Sequence, residues 1–148
     1  MWCKVAQQWQ RMAAEDDVDR AFAYLPDDDG RQILRTFWQA TQNAPHCHQW
    51  LVGRMRLWAA QGYLQAATAA MQERRPDDAR QYCRQAARCL TAAAPALPAW
   101  ERANARQWAT QVQRIVPRLD DAPFATAHLT ALQTKIVAQV RFVPQRAR

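Results

Sequence analysis

The 148-residue sequence contains no serine, only three glycines and only two lysines. The absence of serine excludes every mechanism that uses a serine nucleophile. Three glycines are too few for a phosphate-binding glycine loop together with a series of tight hairpin turns. Alanine, glutamine and arginine are abundant instead, and these residues favour helix or tolerate it well. The composition therefore predicts a helical protein.

Long hydrophobic runs are also lacking. The segment 57–72, which has no charged residue, contains three glutamines and a threonine and is too short to span a bilayer. The first ten residues contain no apolar stretch typical of a signal peptide. The four cysteines, Cys3, Cys47, Cys83 and Cys89, form no CxxC pair. We expect reduced cysteines that serve as small core residues in a cytoplasmic protein without a membrane partner.

Apolar residues recur at helical spacing, and no segment has the pattern of a strand. The pattern predicts about six to seven helices, and the short connections predict that consecutive helices pack antiparallel. The length fits one domain. We expect a compact all-α bundle over 1–148, with N-terminal helices at 1–44, a long helical hairpin at 45–94, a helix pair at 98–143 and a basic tail at 144–148.

Prolines and acidic residues separate the predicted helices. Pro76-Asp77-Asp78 is typical of a helix start, since proline suits the first turn and acids suit the positive end of the helix dipole. Pro95 and Pro98 end that helix, and Asp120-Asp121 should cap the last one. For the last two helices the spacing predicts these buried residues: Trp100, Ala103, Trp108, Val112, Ile115, Phe124, Leu129, Leu132, Ile136 and Val140.

The segment PDDARQYCRQAARCL resembles the second helix of a tetratricopeptide repeat. Ala79 and Ala86 lie seven residues apart, and Cys83 stands where the repeat usually has an aromatic residue. The preceding helix has Ala66 and Ala67 where the repeat has a Leu-Gly pair. The resemblance covers about one 34-residue period, which is not repeated elsewhere. It implies a helical hairpin that serves as a protein-binding scaffold, and it assigns no binding residues.

His46-Cys47-His48 is the cluster in the sequence that has metal-ligand character. Its two histidines cannot share one face of a helix, so further ligands would have to come from distant positions. Cys47 and His128 could form a nucleophile and its base, but no local pattern supports that pair. Asp27-Asp28-Asp29 shares with a calcium loop only the glycine that follows it. We therefore expect no enzymatic activity, no metal and no cofactor.

The formal net charge is +7, and nearly all of the positive charge is arginine. Such a balance favours a polyanionic partner, although the base composition of a genome would produce the same preference for arginine. Arg80, Arg84 and Arg88 recur every fourth residue, and between Arg80 and Arg118 the only acid is Glu101. The candidate residues for binding an anionic partner are Arg74, Arg75, Arg80, Arg84, Arg88, Arg102 and Arg106.

Two other interpretations of these arginines remain open. The arginines could form a solvated face whose aliphatic stems cover small core residues. They could also pair with the acidic region 15–29 of the same chain.

The sequence predicts a non-enzymatic helical module that occupies a surface of another protein, one with an acidic face, as an adaptor, chaperone or inhibitor of a larger complex. An inhibitor encoded by a mobile element fits the size and the lack of catalytic groups. The alternative is a nucleic-acid-binding protein whose arginines contact phosphates. Alanine-rich faces could close a homodimer as readily as a monomer core.

Overall fold

A computed structural model describes residues 3–4, 6–7, 10–11 and 45–141; the side chains at 45–48, 50–51 and 140–141 lie outside this description. The described residues contain no strand, so the predicted all-α class is confirmed for them. They form four long helices and two short 3₁₀ turns: α1 (Pro45–Gln72), α2 (Pro76–Ala93), Ala94–Ala96, α3 (Ala99–Ile115), Val116–Arg118 and α4 (Ala122–Arg141).

The predicted total of six to seven helices is not confirmed. The helices predicted within 12–44 and the predicted basic tail at 144–148 lie outside the described residues. In the N-terminal segment, the described residues up to Arg11 are helical.

The helix boundaries follow the local signals in the sequence. Pro76 opens α2, and Asp77 and Asp78 occupy its first turn. α3 ends just before Pro117, which lies in the 3₁₀ turn that follows. At the start of α4 the backbone N–H of Phe124 donates to Oδ1 of Asp121 at 3.3 Å, so the predicted cap is present.

α1 is the central helix and is buried on several sides. α2 packs against it most extensively, and α4 packs against another side. The N-terminal segment covers a further side, where a Cβ added to Gly62 would lie 3.1 Å from Cβ of Ala6. The hydroxyl of Tyr63 donates to Oε1 of Gln10 at 2.8 Å at the same contact. The helical spacing of Met55, Ala59, Gly62, Ala66 and Ala70 predicts a single apolar face for this helix, whereas Leu57 and Leu64, outside that face, are fully buried too.

α3 and α4 pack against the hairpin formed by α1 and α2, called the central hairpin below, more than against each other. α3 packs on α2 and α4 packs on α1, while the contact between α3 and α4 is much smaller. Nε2 of Gln133 on α4 donates to Thr68 Oγ1 at 2.9 Å and to the carbonyl of Leu64 at 3.3 Å, both on α1. The outer side between α3 and α4 is consequently left as a groove.

A buried ion pair joins three of the helices. Nη2 of Arg54 on α1 lies 2.5 Å from Oε1 of Glu101 on α3, and both side chains are completely inaccessible to solvent. Nη1 of the same guanidinium donates to the backbone carbonyl of Gln139 on α4. Burial lowers the pKa of Arg54 to about 10, and the carboxylate of Glu101 opposes that change. The guanidinium therefore stays charged at neutral pH.

The predicted burial of two residues on α3 is wrong, and the orientation that the ion pair gives to α3 explains why. Trp100 exposes 50% of its surface and Ala103 is exposed. Glu101 is turned inward towards Arg54, and successive helical residues are rotated by about 100°. Trp100 and Ala103 therefore point away from the core, while Trp108, Val112 and Ile115 are buried as predicted.

The last helix largely follows its predicted pattern. Leu129, Leu132 and Ile136 are buried, and Phe124 is partly buried. The predicted burial of Val140 falls on a side chain outside the described ones.

Replacing Glu101 with glutamine would leave the charged Arg54 buried without its carboxylate. We expect the free energy of unfolding to fall by about 3–5 kcal/mol, the usual effect of removing one partner of a buried ion pair. Urea denaturation followed by circular dichroism measures the change. The Glu73→Gln variant, which breaks an exposed ion pair with Arg75, is the control and should unfold almost like the wild type.

The Arg54→Met/Glu101→Leu double variant separates the effect of an unpaired charge from the effect of lost packing. We expect it to recover most of the stability that Glu101→Gln loses, because it removes both charges together. A Glu101→Gln protein as stable as the Glu73→Gln control would contradict the assigned role of the pair.

Candidate anion-binding surface

The seven candidate arginines lie on three consecutive parts of the fold. Arg80, Arg84 and Arg88 lie on α2, as the spacing predicted. The other four occupy the turn before α2 and the helix after it: Arg74, Arg75, Arg102 and Arg106. The seven side chains differ in what they contact, and these differences separate structural arginines from available ones.

Two of the arginines are neutralised locally. Arg75 lies 2.6 Å from a carboxylate oxygen of Glu73 and 2.8 Å from one of Asp78. Arg80 lies 2.6 Å from a carboxylate oxygen of Asp77, one turn before it on α2. These cations and acids belong to the same helix start, so their charges largely cancel there.

Two more arginines have backbone roles. Arg102 donates from Nε to the carbonyl of Ala94 and from Nη2 to the carbonyl of Leu97, both at 3.2 Å, and so binds the connection between α2 and α3. Arg74 has φ 58°, a left-handed conformation that favours glycine, in the turn between α1 and α2. Its side chain is exposed.

Arg84, Arg88 and Arg106 are exposed on the helices, and Arg74 is exposed in the turn before α2. Within residues 45–141 no carboxylate forms an ion pair with any of them. Arg84 and Arg88 line a groove of about 410 Å³ between α2 and α3, and we call this the arginine groove. Its other lining residues are Cys83, Ala87, Thr91, Ala92, Gln113 and Val116.

Arg106 extends the positive surface beside the arginine groove. It lies seven residues, or about two turns, before Gln113, so it is on the same side of α3 as that groove residue. α2 has no acid after Asp78, and the one acid of α3, Glu101, is buried against Arg54. The outer face of α2 and α3 beyond the first turn of α2 is therefore positive.

A second positive cluster lies between α3 and α4, and the sequence pattern did not indicate it. Arg114, Arg118 and Lys135 line a pocket of about 390 Å³ together with Phe124 and His128. The guanidinium carbon of Arg118 lies 3.4 Å from the centre of the Phe124 ring. Lys135 is far from the two arginines in sequence, so no local spacing connects them. The one available signal was the absence of any acid from α4.

The two described buried cysteines have no reactive character. Cys83 and Cys89 are buried, as predicted for core cysteines, and burial raises the pKa of each thiol to about 12. Among the side chains that can be described, no three His, Cys, Asp or Glu residues converge to hold a metal ion. The side chains of His46-Cys47-His48 lie outside that set, so the metal hypothesis for them stays untested.

Comparisons with protein families, with curated proteins and with solved structures found no match to this chain. The resemblance of the α1–α2 hairpin to a tetratricopeptide repeat therefore rests on its alanine and cysteine positions alone. No helix in the described part of the chain is long and apolar enough to cross a membrane.

The burial and low reactivity of the Cys83 and Cys89 thiols can be tested in a Cys3→Ala/Cys47→Ala variant, in which these two residues are the only cysteines. The thiolate is the reactive form, and burial suppresses both its formation and its access to reagents. We expect Ellman's reagent at pH 8 to label the native protein at least about a hundredfold more slowly than the urea-unfolded protein. Equal rates in the two states would contradict the burial of these thiols.

The same burial predicts how stability depends on pH. The thiol pKa is 9.0 in the unfolded chain and about 12 in the folded one. The contribution of the two thiols to the free energy of unfolding is therefore complete below pH 9. It falls as the pH rises towards 12, because ionisation of the thiols then favours the unfolded chain. Urea denaturation at pH 8 and pH 10 measures the free energy of unfolding. Its decline between the two pH values should be smaller for the Cys83→Ala/Cys89→Ala variant than for the wild type.

Proposed function

We propose that this protein is a non-enzymatic interaction module that binds an acidic segment of another protein in the arginine groove. One observation carries the proposal: Arg84 and Arg88 are exposed, form no ion pair with a described carboxylate, and flank a groove whose floor is partly apolar. A guanidinium binds a carboxylate through two parallel hydrogen bonds, so two arginines one turn apart suit a row of acids.

The floor of the arginine groove favours a protein partner over a nucleic acid. Ala87, Ala92 and Val116 offer carbon surface between the two cations and α3. An amphipathic segment places apolar side chains and carboxylates on adjacent positions, and it can use both parts of such a groove. A phosphate backbone would use the cations and leave the apolar floor without a partner.

Occupancy of a partner's surface is the mode of action that best fits the groups in this groove. The cysteine that lines it, Cys83, has a raised thiol pKa and is a poor nucleophile. Arginine, glutamine, threonine and alanine supply binding contacts and no acid–base pair poised near neutral pH. Adaptor, chaperone and inhibitor are the roles that such a surface can serve.

Nucleic-acid binding is the second candidate. The Cα atoms of Arg84 and Arg88 are about 6 Å apart along α2, a spacing that can follow successive phosphates. Arg106 adds a third cation on the neighbouring helix. Release of counterions would make such binding fall steeply with salt, which distinguishes it from a packed protein interface.

Fluorescence anisotropy tests the proposal with two kinds of labelled probe. The first is an 18-residue amphipathic helix with glutamates on one face and leucines on the other, and the second is duplex DNA or single-stranded RNA. Each is titrated at about 50 and 200 mM salt. We expect the peptide to bind more tightly than the nucleic acids at the higher salt concentration, because apolar contact is not screened.

The variant Arg84→Gln/Arg88→Gln should weaken peptide binding by about tenfold or more, since two charge-assisted hydrogen-bonding groups are lost. The matched control, Arg75→Gln/Arg80→Gln, removes the same charge from the same region, but its arginines already pair with local acids. We expect it to change peptide affinity by less than about threefold. Equal losses in both variants would contradict the arginine groove as the site, and tighter, salt-sensitive nucleic-acid binding would favour the second candidate.

A further inference from the structure

The pocket between α3 and α4 combines an apolar interior with a positive rim. Ile115 and Leu132, each 3% exposed, are buried apolar residues of its lining, and the partly buried Phe124 lines it as well. Arg114, Lys135 and Arg118 are its cations, and we call this site the cationic pocket: Arg114, Ile115, Arg118, Phe124, Leu132 and Lys135. Its volume of about 390 Å³ falls within the usual range of small-molecule sites.

The three cations of the cationic pocket are compensated to different degrees. Arg118 lies 3.7 Å from a carboxylate oxygen of Asp121 and also covers the Phe124 ring, so its charge has local partners. Neither Arg114 nor Lys135 forms an ion pair with any carboxylate in the described part of the chain. These two cations come from opposite helices and line one pocket, so an anion between them would relieve their repulsion.

The fold explains why this pocket stays open. α3 and α4 are anchored on α2 and α1 and make little contact with each other. α4 contains no acidic residue that could close the gap by pairing with Arg114. An imidazole is not an anion, so His128 supplies no counter-charge either; its Nδ1 lies 2.9 Å from the carbonyl of Phe124, and its ring packs against the Phe124 ring at an interplanar angle of 34°.

We propose that the cationic pocket binds a small organic anion that has one acidic head group and an apolar body, of which a medium-chain carboxylate is the simplest example. The head group lies between Arg114 and Lys135, and the apolar body covers Ile115, Leu132 and Phe124. This site is separate from the arginine groove, which lies between α2 and α3 and shares no lining residue with it.

Binding requires both parts of the ligand because neither part of the pocket is strong alone. Exposed cations in water attract a small anion such as acetate only weakly. The apolar floor alone would accept an uncharged chain but would leave the two cations without a counter-charge. A ligand with both features gains charge-assisted hydrogen bonds and buries apolar surface together.

Isothermal titration calorimetry of the full chain with three probes tests this proposal. The probes are octanoate, which has both features, 1-octanol, which has the chain without the charge, and acetate, which has the charge without the chain. We expect octanoate to bind at least about tenfold more tightly than 1-octanol, and acetate to give no measurable heat of binding.

Three variants locate the binding. Arg114→Gln/Lys135→Gln should weaken octanoate at least about tenfold and leave 1-octanol nearly unchanged. Ala131→Trp places a large side chain at an exposed position of the same pocket and should weaken both ligands. Arg84→Gln/Arg88→Gln removes the same number of charges from the arginine groove and should bind octanoate like the wild type.

Circular dichroism and thermal unfolding of each variant confirm that it is folded before its titration is interpreted. Equal affinity for octanoate and 1-octanol would overturn the assignment of an anionic head group. Octanoate binding that survives both Arg114→Gln/Lys135→Gln and Ala131→Trp, or that is lost in Arg84→Gln/Arg88→Gln, would overturn the assignment of the pocket. Absence of octanoate binding to the wild type at millimolar concentration would overturn the proposal as a whole.

Discussion

The contact on which the arrangement of the helices depends is the buried ion pair between Arg54 and Glu101. Burial of two full charges costs free energy unless the charges pair with each other. A fold that buries Arg54 and Glu101 must therefore bring the guanidinium and the carboxylate together. The same guanidinium also binds the backbone of Gln139, so the central helix holds both later helices through one side chain. The pair fixes how α3 is rotated about its axis, which is why Trp100 and Ala103 face outward. A hydrophobic contact would allow more rotation, because it has no preferred direction.

The two grooves follow from this arrangement. Alanine is the commonest buried residue of the α1–α2 hairpin, so these two helices approach each other closely. α3 and α4 attach to different members of the hairpin, so a pocket remains between them and a groove remains between α2 and α3. Three nearby acids do not neutralise these openings, because Asp77 and Asp78 pair with arginines at the start of α2 and Glu101 is buried against Arg54. Positive grooves with apolar floors are the result, and both proposals build on them.

Part of the candidate site could be predicted from the sequence, and the limits have a physical basis. The spacing of Arg84 and Arg88 correctly placed both on one helix, because helical periodicity is a local property. The pairing of Arg80 with Asp77, three residues earlier on the same helix, is equally local and could also have been predicted from the spacing. The spacing could not show that Arg102 binds two carbonyls of the connection between α2 and α3, because that contact depends on how the chain turns there. No local spacing indicates the cationic pocket, because Arg114 lies on α3, Arg118 in the following 3₁₀ turn and Lys135 on α4.

For the described residues, the sequence by itself determined the helical class, the ends of the helices near proline and aspartate, and the burial of Leu129, Leu132 and Ile136. These properties depend on residues within a few turns of one another. Only the tertiary structure decided that the helix at Pro45–Gln72 is buried on several sides, that Glu101 serves the core and not the arginines near it in sequence, and where grooves remain. Those outcomes depend on which helices meet, because burial and ion pairing are determined by neighbours that are distant in the chain.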